Sequence, residues 1–117
     1  MKQSLGSDGE ALAAEFLRKK GYRIIAKNYK TSLGEIDIVA KDGDTIVFLE
    51  VKTRTNESFG YPFEAVNDRK RRKIKNVALL FLKKLKQEVS ARFDVLSISS
   101  TVGGRQEITH IKDAFEV

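Results

Sequence analysis

The stretch from Gly34 to Lys52, Gly-Glu-Ile-Asp-Ile-Val-Ala-Lys-Asp-Gly-Asp-Thr-Ile-Val-Phe-Leu-Glu-Val-Lys, leaves the chain few conformations. Its runs Ile36 to Ala40 and Thr45 to Val51 are rich in β-branched residues, and the Asp-Gly-Asp between them is a tight-turn signal. Together they read as a β-hairpin. Register then decides which side chains meet, because neighbours alternate between the two faces and a slip of one residue inverts them all. A two-residue loop at Gly43-Asp44 and a four-residue loop over 42–45 give the same pairing. Asp37 then lies across from Glu50 and Glu35 across from Lys52, on the face that also carries Val39 and Phe48. A three-residue loop would break the arrangement.

Directly opposed like charges destabilise a sheet by roughly 0.2–1 kcal/mol, and apolar surroundings make ionising both carboxylates harder still. A divalent cation would offset the repulsion. Mg²⁺ takes hard oxygen ligands, commonly one or two carboxylates, and leaves its other positions to water and phosphate oxygens. Lys52, two residues beyond Glu50 on the same face, adds an ammonium to the cluster. The plainer alternative is a solvated face with a Glu35–Lys52 cross-strand ion pair and Asp37 and Glu50 merely exposed.

Charge is distributed unevenly. The net charge is +6, from 22 basic and 16 acidic residues, yet residues 69–86 carry nine basic side chains and no acidic one. Outside that segment the balance is negative, so an anionic polymer would dock on the segment itself. Within it, Ile74, Val77, Ala78, Phe81, Leu82 and Leu85 recur with helical spacing, which predicts an amphipathic helix from about Asp68 to Gln87. Its first turns hold Arg69, Lys70, Arg71, Arg72 and Lys73. Cations at the positive end of a helix dipole cost about 0.3–1 kcal/mol each before screening, and a phosphate there would reverse the sign. A solvated basic face, a membrane surface or an acidic protein partner are the alternatives; nucleic acid is favoured because the block follows the hairpin by only one loop.

The remaining segments complete an α/β pattern. Ser7 and Glu10 fit a capping box opening a helix that runs to about Lys20, with Leu12, Ala13, Phe16 and Leu17 as its apolar stripe. Glu10 would then return a hydrogen bond to the Ser7 backbone, or face the hairpin's carboxylates. Tyr22–Tyr29 reads as a strand beside the hairpin. A loop spans 53–64, with Phe59, Tyr61 and Phe63 folded onto the core or stacked on unpaired bases. Arg92–Ser99 is a fourth strand and Gln106–Ile111 a short fifth with Ile108 and Ile111 buried; His110 reads as a strand-end surface residue and 112–117 as a tail over an edge. The order α, β, β, β, α, β, β predicts a mixed sheet of about five strands flanked by helices, in one domain over 1–117. Cysteine is absent, which excludes disulfides, zinc–thiolate sites and thiol catalysis. The longest apolar run, Val77 to Leu82, is too short to span a membrane and Met1 to Gly6 lacks a signal peptide's apolar core, so a cytoplasmic protein is the simplest reading.

Asp37, twelve intervening residues and then Glu50-Val51-Lys52 is similar to the PD-(D/E)XK signature of restriction-endonuclease-like nucleases, with Ile36 where the signature has proline. The series Gly9-Glu10-Ala11-Leu12, Asn28-Tyr29, Gly34-Glu35-Ile36-Asp37, Glu50-Val51-Lys52-Thr53-Arg54, Phe59-Gly60, Glu64-Ala65-Val66 and Arg92-Phe93-Asp94-Val95 resembles the YraN-like family. Its layout is also similar to archaeal Holliday-junction resolvases, which carry a Glu on the first helix. The resemblance implies a restriction-endonuclease-like fold and Mg²⁺- or Mn²⁺-dependent hydrolysis of phosphodiester bonds in DNA. RNA stays an alternative substrate, and a catalytically silent nucleic-acid-binding protein an alternative function. It implies Asp37, Glu50 and the Val51 carbonyl as metal ligands, with Glu10 as a further ligand and Lys52 at the attacking water. Arg54 and Arg69 to Lys73 would contact nucleic acid. Cutting a junction would need two sites, hence a homodimer.

Overall fold

A computed structural model describes residues 5–55, 68–100 and 104–115, with side chains from residue 9 to 53 in the first of these stretches. Helix α1 (Leu5–Lys19) is followed by strands β1 (Arg23–Thr31), β2 (Gly34–Asp42) and β3 (Thr45–Thr55), helix α2 (Asp68–Leu85), and strands β4 (Ser90–Ser100) and β5 (Gln106–Phe115). The five strands form one mixed sheet in chain order, antiparallel except where β3 runs parallel to β4. The parallel pair follows from α2, whose passage between β3 and β4 returns the chain to the same end of the sheet. This is the α/β arrangement that the order of apolar patterns predicts.

Each helix covers one face. Ala13, Ala14 and Leu17 of α1 bury against Ile38, Ala40, Val47, Leu49, Leu96 and Ile98, while Ile74, Val77 and Ala78 of α2 bury against Val39, Phe48, Phe93 and Val95. Strands β2, β3 and β4 are therefore apolar on both sides, and their near-continuous hydrophobic runs have that cause. Phe81, Leu82 and Leu85 pack against the core on the α2 side while half-buried.

The hairpin has the two-residue loop: Asp42 pairs with Thr45, Lys41 with Ile46, and the ladder runs on to Ile38 with Leu49. Gly43 takes φ +60°, which a side chain would resist.

Five expectations need correction. Helix α1 starts at Leu5, so Ser7 lies inside its first turn and is not its N-cap. Strand β3 extends to Thr55 where a loop was expected, because β4 pairs with it residue by residue from Thr45–Ser90 to Thr55–Ser100. Residues 112–115 continue β5 instead of forming a tail, and Phe115 stacks on Phe93 with ring centroids 4.9 Å apart. Ile108 and Ile111 are half-buried, since β5 is an edge strand. His110 is no surface residue. Its side chain is only 4% exposed and lies edge-on to Phe16 and Tyr22. The aromatic residues Phe59, Tyr61 and Phe63 fall outside the described residues.

His110 belongs to a polar network under α1. Its Nε2 is 2.7 Å from Asp94 Oδ2 and its Nδ1 is 2.8 Å from Lys20 Nζ. An ammonium cannot accept a hydrogen bond, so Nδ1 accepts and Nε2–H donates to Asp94. Asp94 also accepts from Arg92 Nε at 3.0 Å and from the backbone N–H of Asp113, which a left-handed φ of +54° in a β-bulge turns toward it. Burial alone would raise the Asp94 pKa, but these donors outweigh it and hold the carboxyl below its usual range. Removing the carboxylate in Asp94→Ala leaves Arg92 without its main buried partner and is expected to cost about 3–5 kcal/mol in denaturant unfolding at pH 7. A depressed carboxyl contributes stability above its unfolded pKa and loses it as pH falls through the folded value. The penalty of the substitution should therefore shrink below about pH 4.

Helix α1 meets β3 closely at Gly9, where an added Cβ would collide with Thr53 Cγ2. Gly9→Val is expected to lower stability by about 1–3 kcal/mol in the same measurement, despite removing a helix glycine.

Candidate active site

Beyond the Ile38–Leu49 pair, the described ladder between β2 and β3 stops. There the Asp37 side chain does what a backbone carbonyl does elsewhere in the sheet: its Oδ2 accepts the Val51 N–H at 2.8 Å. This fixes Asp37 beside Glu50, whose negative charge it faces at close range. Both line a cleft of about 560 Å³ between the open end of the hairpin and the start of α2, together with Gly34, Glu35, Arg69, Lys70, Lys73 and Ile74.

Electrostatics follows from that enclosure. Burial, and then repulsion from Glu50, push the Asp37 carboxyl up to about 6, against the Val51 N–H, which favours its ionised form. Glu50, with 8% of its side chain exposed, meets Lys70 Nζ at 2.8 Å and Lys52 Nζ at 3.7 Å. Burial disfavours charge on Lys70, but its hydrogen bond to Glu50 outweighs this and its pKa is raised. Burial and the neighbouring Lys70 lower the pKa of Lys52. On the α1 side, Glu10 faces Asn28, which lies in β1 with φ +53° and favours its ionised form. Partial burial and the field of Asp37 raise the Glu10 pKa.

Asp37, Glu50 and Lys52 come together, and Glu10 lies within the electrostatic reach of Asp37. Of the two pairings weighed for Lys52, the structure has the one with Glu50, and Glu35 instead meets Lys30, its cross-strand neighbour, at 3.9 Å. The five consecutive cations do not converge, because a helix turns each residue about 100° from the last. Arg69, Lys70 and Lys73 line the cleft, whereas Arg71 packs over the Phe115 ring and reaches Asp68, and exposed Arg72 is outside the lining. Arg54 lies in β3 opposite Ser99, and its side chain is outside the described residues.

Oxygen donors of Asp37 and Glu50 suit a hard dication, and the raised Asp37 pKa reflects burial first and the facing Glu50 carboxylate second. Among the described residues no three histidine or carboxylate side chains group as metal ligands. The side chains thus supply two donors and the Val51 carbonyl would be the third. Glu10 stands outside that set.

Residues 9–98 match the profile described as "Uncharacterised protein family UPF0102". The chain belongs to the UPF0102 family. A UPF0102 protein of Thermodesulfovibrio yellowstonii is 47% identical over 111 residues, covering 95% of both chains. Another, of Geobacter metallireducens, is 49% identical over 116 residues, covering 98% of this chain and 94% of the relative. The YraN-like motifs of the sequence are those of this family. A solved structure, Pyrococcus furiosus SfsA in complex with Ca²⁺, is similar with a TM-score of 0.35 and 12% identity, over 96% of this chain and 63% of that one.

The segment of this UPF0102 protein matched by the profile holds every residue lining the cleft. Two contributors escape sequence reasoning. Asn28 stands in the Asn28-Tyr29 pair of the family series, but nothing in the sequence sets it beside Glu10; it sits mid-strand with a left-handed backbone, which Asn tolerates better than most residues. Lys70 reads as one of five equivalent cations until the fold brings it onto Glu50.

Asp37 ionises at a cost in the folded protein. A carboxyl whose folded pKa is raised loses stability as pH rises from its unfolded value through the folded one, here from about 4 to about 6. Without added metal, Asp37→Asn is expected to stabilise this UPF0102 protein by roughly 1–3 kcal/mol at pH 7.5, with the gain gone below about pH 4. Thermal melts across that range check both sign and window.

Proposed function

We propose that this protein is a Mg²⁺- or Mn²⁺-dependent endonuclease that hydrolyses phosphodiester bonds in DNA and belongs to the PD-(D/E)XK, restriction-endonuclease-like superfamily. The observation that carries the reading is the pair Asp37 and Glu50 lining one cleft whose walls include Arg69, Lys70 and Lys73, with Asp37 held by the Val51 N–H and Lys52 Nζ 3.7 Å from Glu50.

Asp37, Glu50 and the Val51 carbonyl would hold the dication, which when bound supplies Lewis-acid polarisation of the phosphate and a more acidic water. Lys52 presents its Nζ to the attacking water. Its lowered proton affinity leaves more neutral amine at a given pH than an ordinary lysine has, so it can take the proton released as the water oxygen bonds to phosphorus. The phosphorus–oxygen bond to the leaving sugar then breaks in line, and the leaving oxygen takes a proton from solvent water in the open cleft. Arg69 and Lys73 draw the phosphodiester backbone into the cleft, and Glu10, within the field of Asp37, orients a water beside it. Enzymes lower barriers of such reactions by up to about 23 kcal/mol, whereas a positioned proton acceptor gives only about 10²–10⁴-fold. Lys52 therefore works with the dication and not in its stead.

Purified protein with Mn²⁺ should cut at least one member of a labelled panel of branched, flapped, duplex and single-stranded DNA and matching RNA. Asp37→Ala should abolish cutting, and Lys52→Ala should slow it by about 10²-fold or more while leaving binding largely intact. Lys52→Arg, which keeps the charge but cannot act as a base, should be as slow. Cleavage unchanged in all three variants would reject the assignment. Binding without cleavage of any substrate, insensitive to Mn²⁺, would identify a silent nucleic-acid-binding protein instead.

A further inference from the structure

Lys70 is separated from the Glu50-Val51-Lys52 motif by seventeen residues and joins it only through the packing of α2 on the sheet. Its Nζ makes the shorter of the two ion pairs to Glu50, 2.8 Å against 3.7 Å for Lys52, on the same oxygen, Oε1. Glu50 is 8% exposed at its side chain and Lys70 37%, so the carboxylate is fixed in the floor while the lysine reaches it from the cleft. A side chain near the start of a helix can swing about its own rotamers without moving the backbone.

Resting on the nuclease reading above, we infer that Lys70 is a displaceable internal cation: it neutralises Glu50 in the metal-free site and must leave that carboxylate when a dication binds. Two formal carboxylates already face two ammonium groups in this cluster. A dication entering beside an ammonium 2.8 Å from its own ligand meets strong repulsion in a poorly screened place. The swing relieves it. Lys70 then turns into the space that Arg69 and Lys73 line, where a phosphate is the group that would receive it. One side chain thus links the two ligands. The dication frees an ammonium for the nucleic acid, and the nucleic acid holds that ammonium away from the dication's ligand. Such linkage is reciprocal: each ligand strengthens the other's binding by the same factor.

The test is the affinity of the full chain for Mn²⁺ without nucleic acid, followed by electron paramagnetic resonance of the free ion. Lys70→Met and Lys70→Gln, which no longer compete at Glu50, are expected to bind Mn²⁺ about tenfold more tightly than the natural protein. Lys70→Arg keeps a competing cation, and Lys73→Met removes a cleft cation that has no ion pair to Glu50. Both should stay within about threefold of the natural protein. Unchanged or weaker binding by Lys70→Met and Lys70→Gln, with the natural protein binding measurably, would overturn the role of Lys70 and leave the metal site standing. No Mn²⁺ bound at millimolar concentration by the natural protein or either neutral variant would overturn the metal site itself.

Discussion

Two carboxyl groups held against each other where water reaches them from one side only are under mutual repulsion, and the surroundings of Asp37 and Glu50 are arranged around tolerating it. The Val51 N–H meets one carboxyl, and the Lys70 and Lys52 ammonium groups meet the other. None of these is a neighbour in the sequence by accident of local conformation. Val51 and Lys52 are in place because β3 alternates, Asp37 because the hairpin turns in two residues, and Lys70 because an apolar stripe docks α2 on the sheet. Local periodicity, turn chemistry and burial thus agree on one arrangement, apart from the carboxylate pair that they surround.

That pair contrasts with the network under α1. Asp94 is wholly buried and receives more donors than a carboxylate needs to stay ionised, from Arg92, His110 and the Asp113 backbone. The same sheet therefore carries one buried carboxylate surrounded by donors and, one and two strands away on the opposite face, a pair set against each other. The first reads as architecture. The second has the perturbation expected where chemistry occurs, because a group stable in its resting environment has little left to offer a ligand.

Much of this was legible in the residues. Strand alternation and the Asp-Gly-Asp turn give the hairpin register, and the 3.6-residue stripe beginning at Ile74 gives α2 nearly to its ends. What escaped depended on partners distant in sequence. Thr53 to Thr55 are strand because β4 lies alongside, and their two β-branched threonines alone do not decide it against the polar segment that follows. His110 looks like an exposed polar residue until Asp94 and Lys20 supply hydrogen bonds to both ring nitrogens. Ser7 and Glu10 match a capping box, yet two earlier residues are already helical and Glu10 turns to Asn28. The cationic run was read as one patch because sequence proximity says nothing of the angle between successive side chains on a helix.

Strand β3 is third of five, bonded on both flanks and roofed by a helix on either face. Peripheral β1 and β5 can fray independently, but nothing short of dismantling both cores would let β3 drift. Glu50 and Lys52 ride on that innermost plank. Thermal breathing of the rim strands would leave their spacing untouched, whereas the facing wall of the cleft, with Arg69, Lys70 and Lys73, rests on the first turns of α2 and loosens with that helix end.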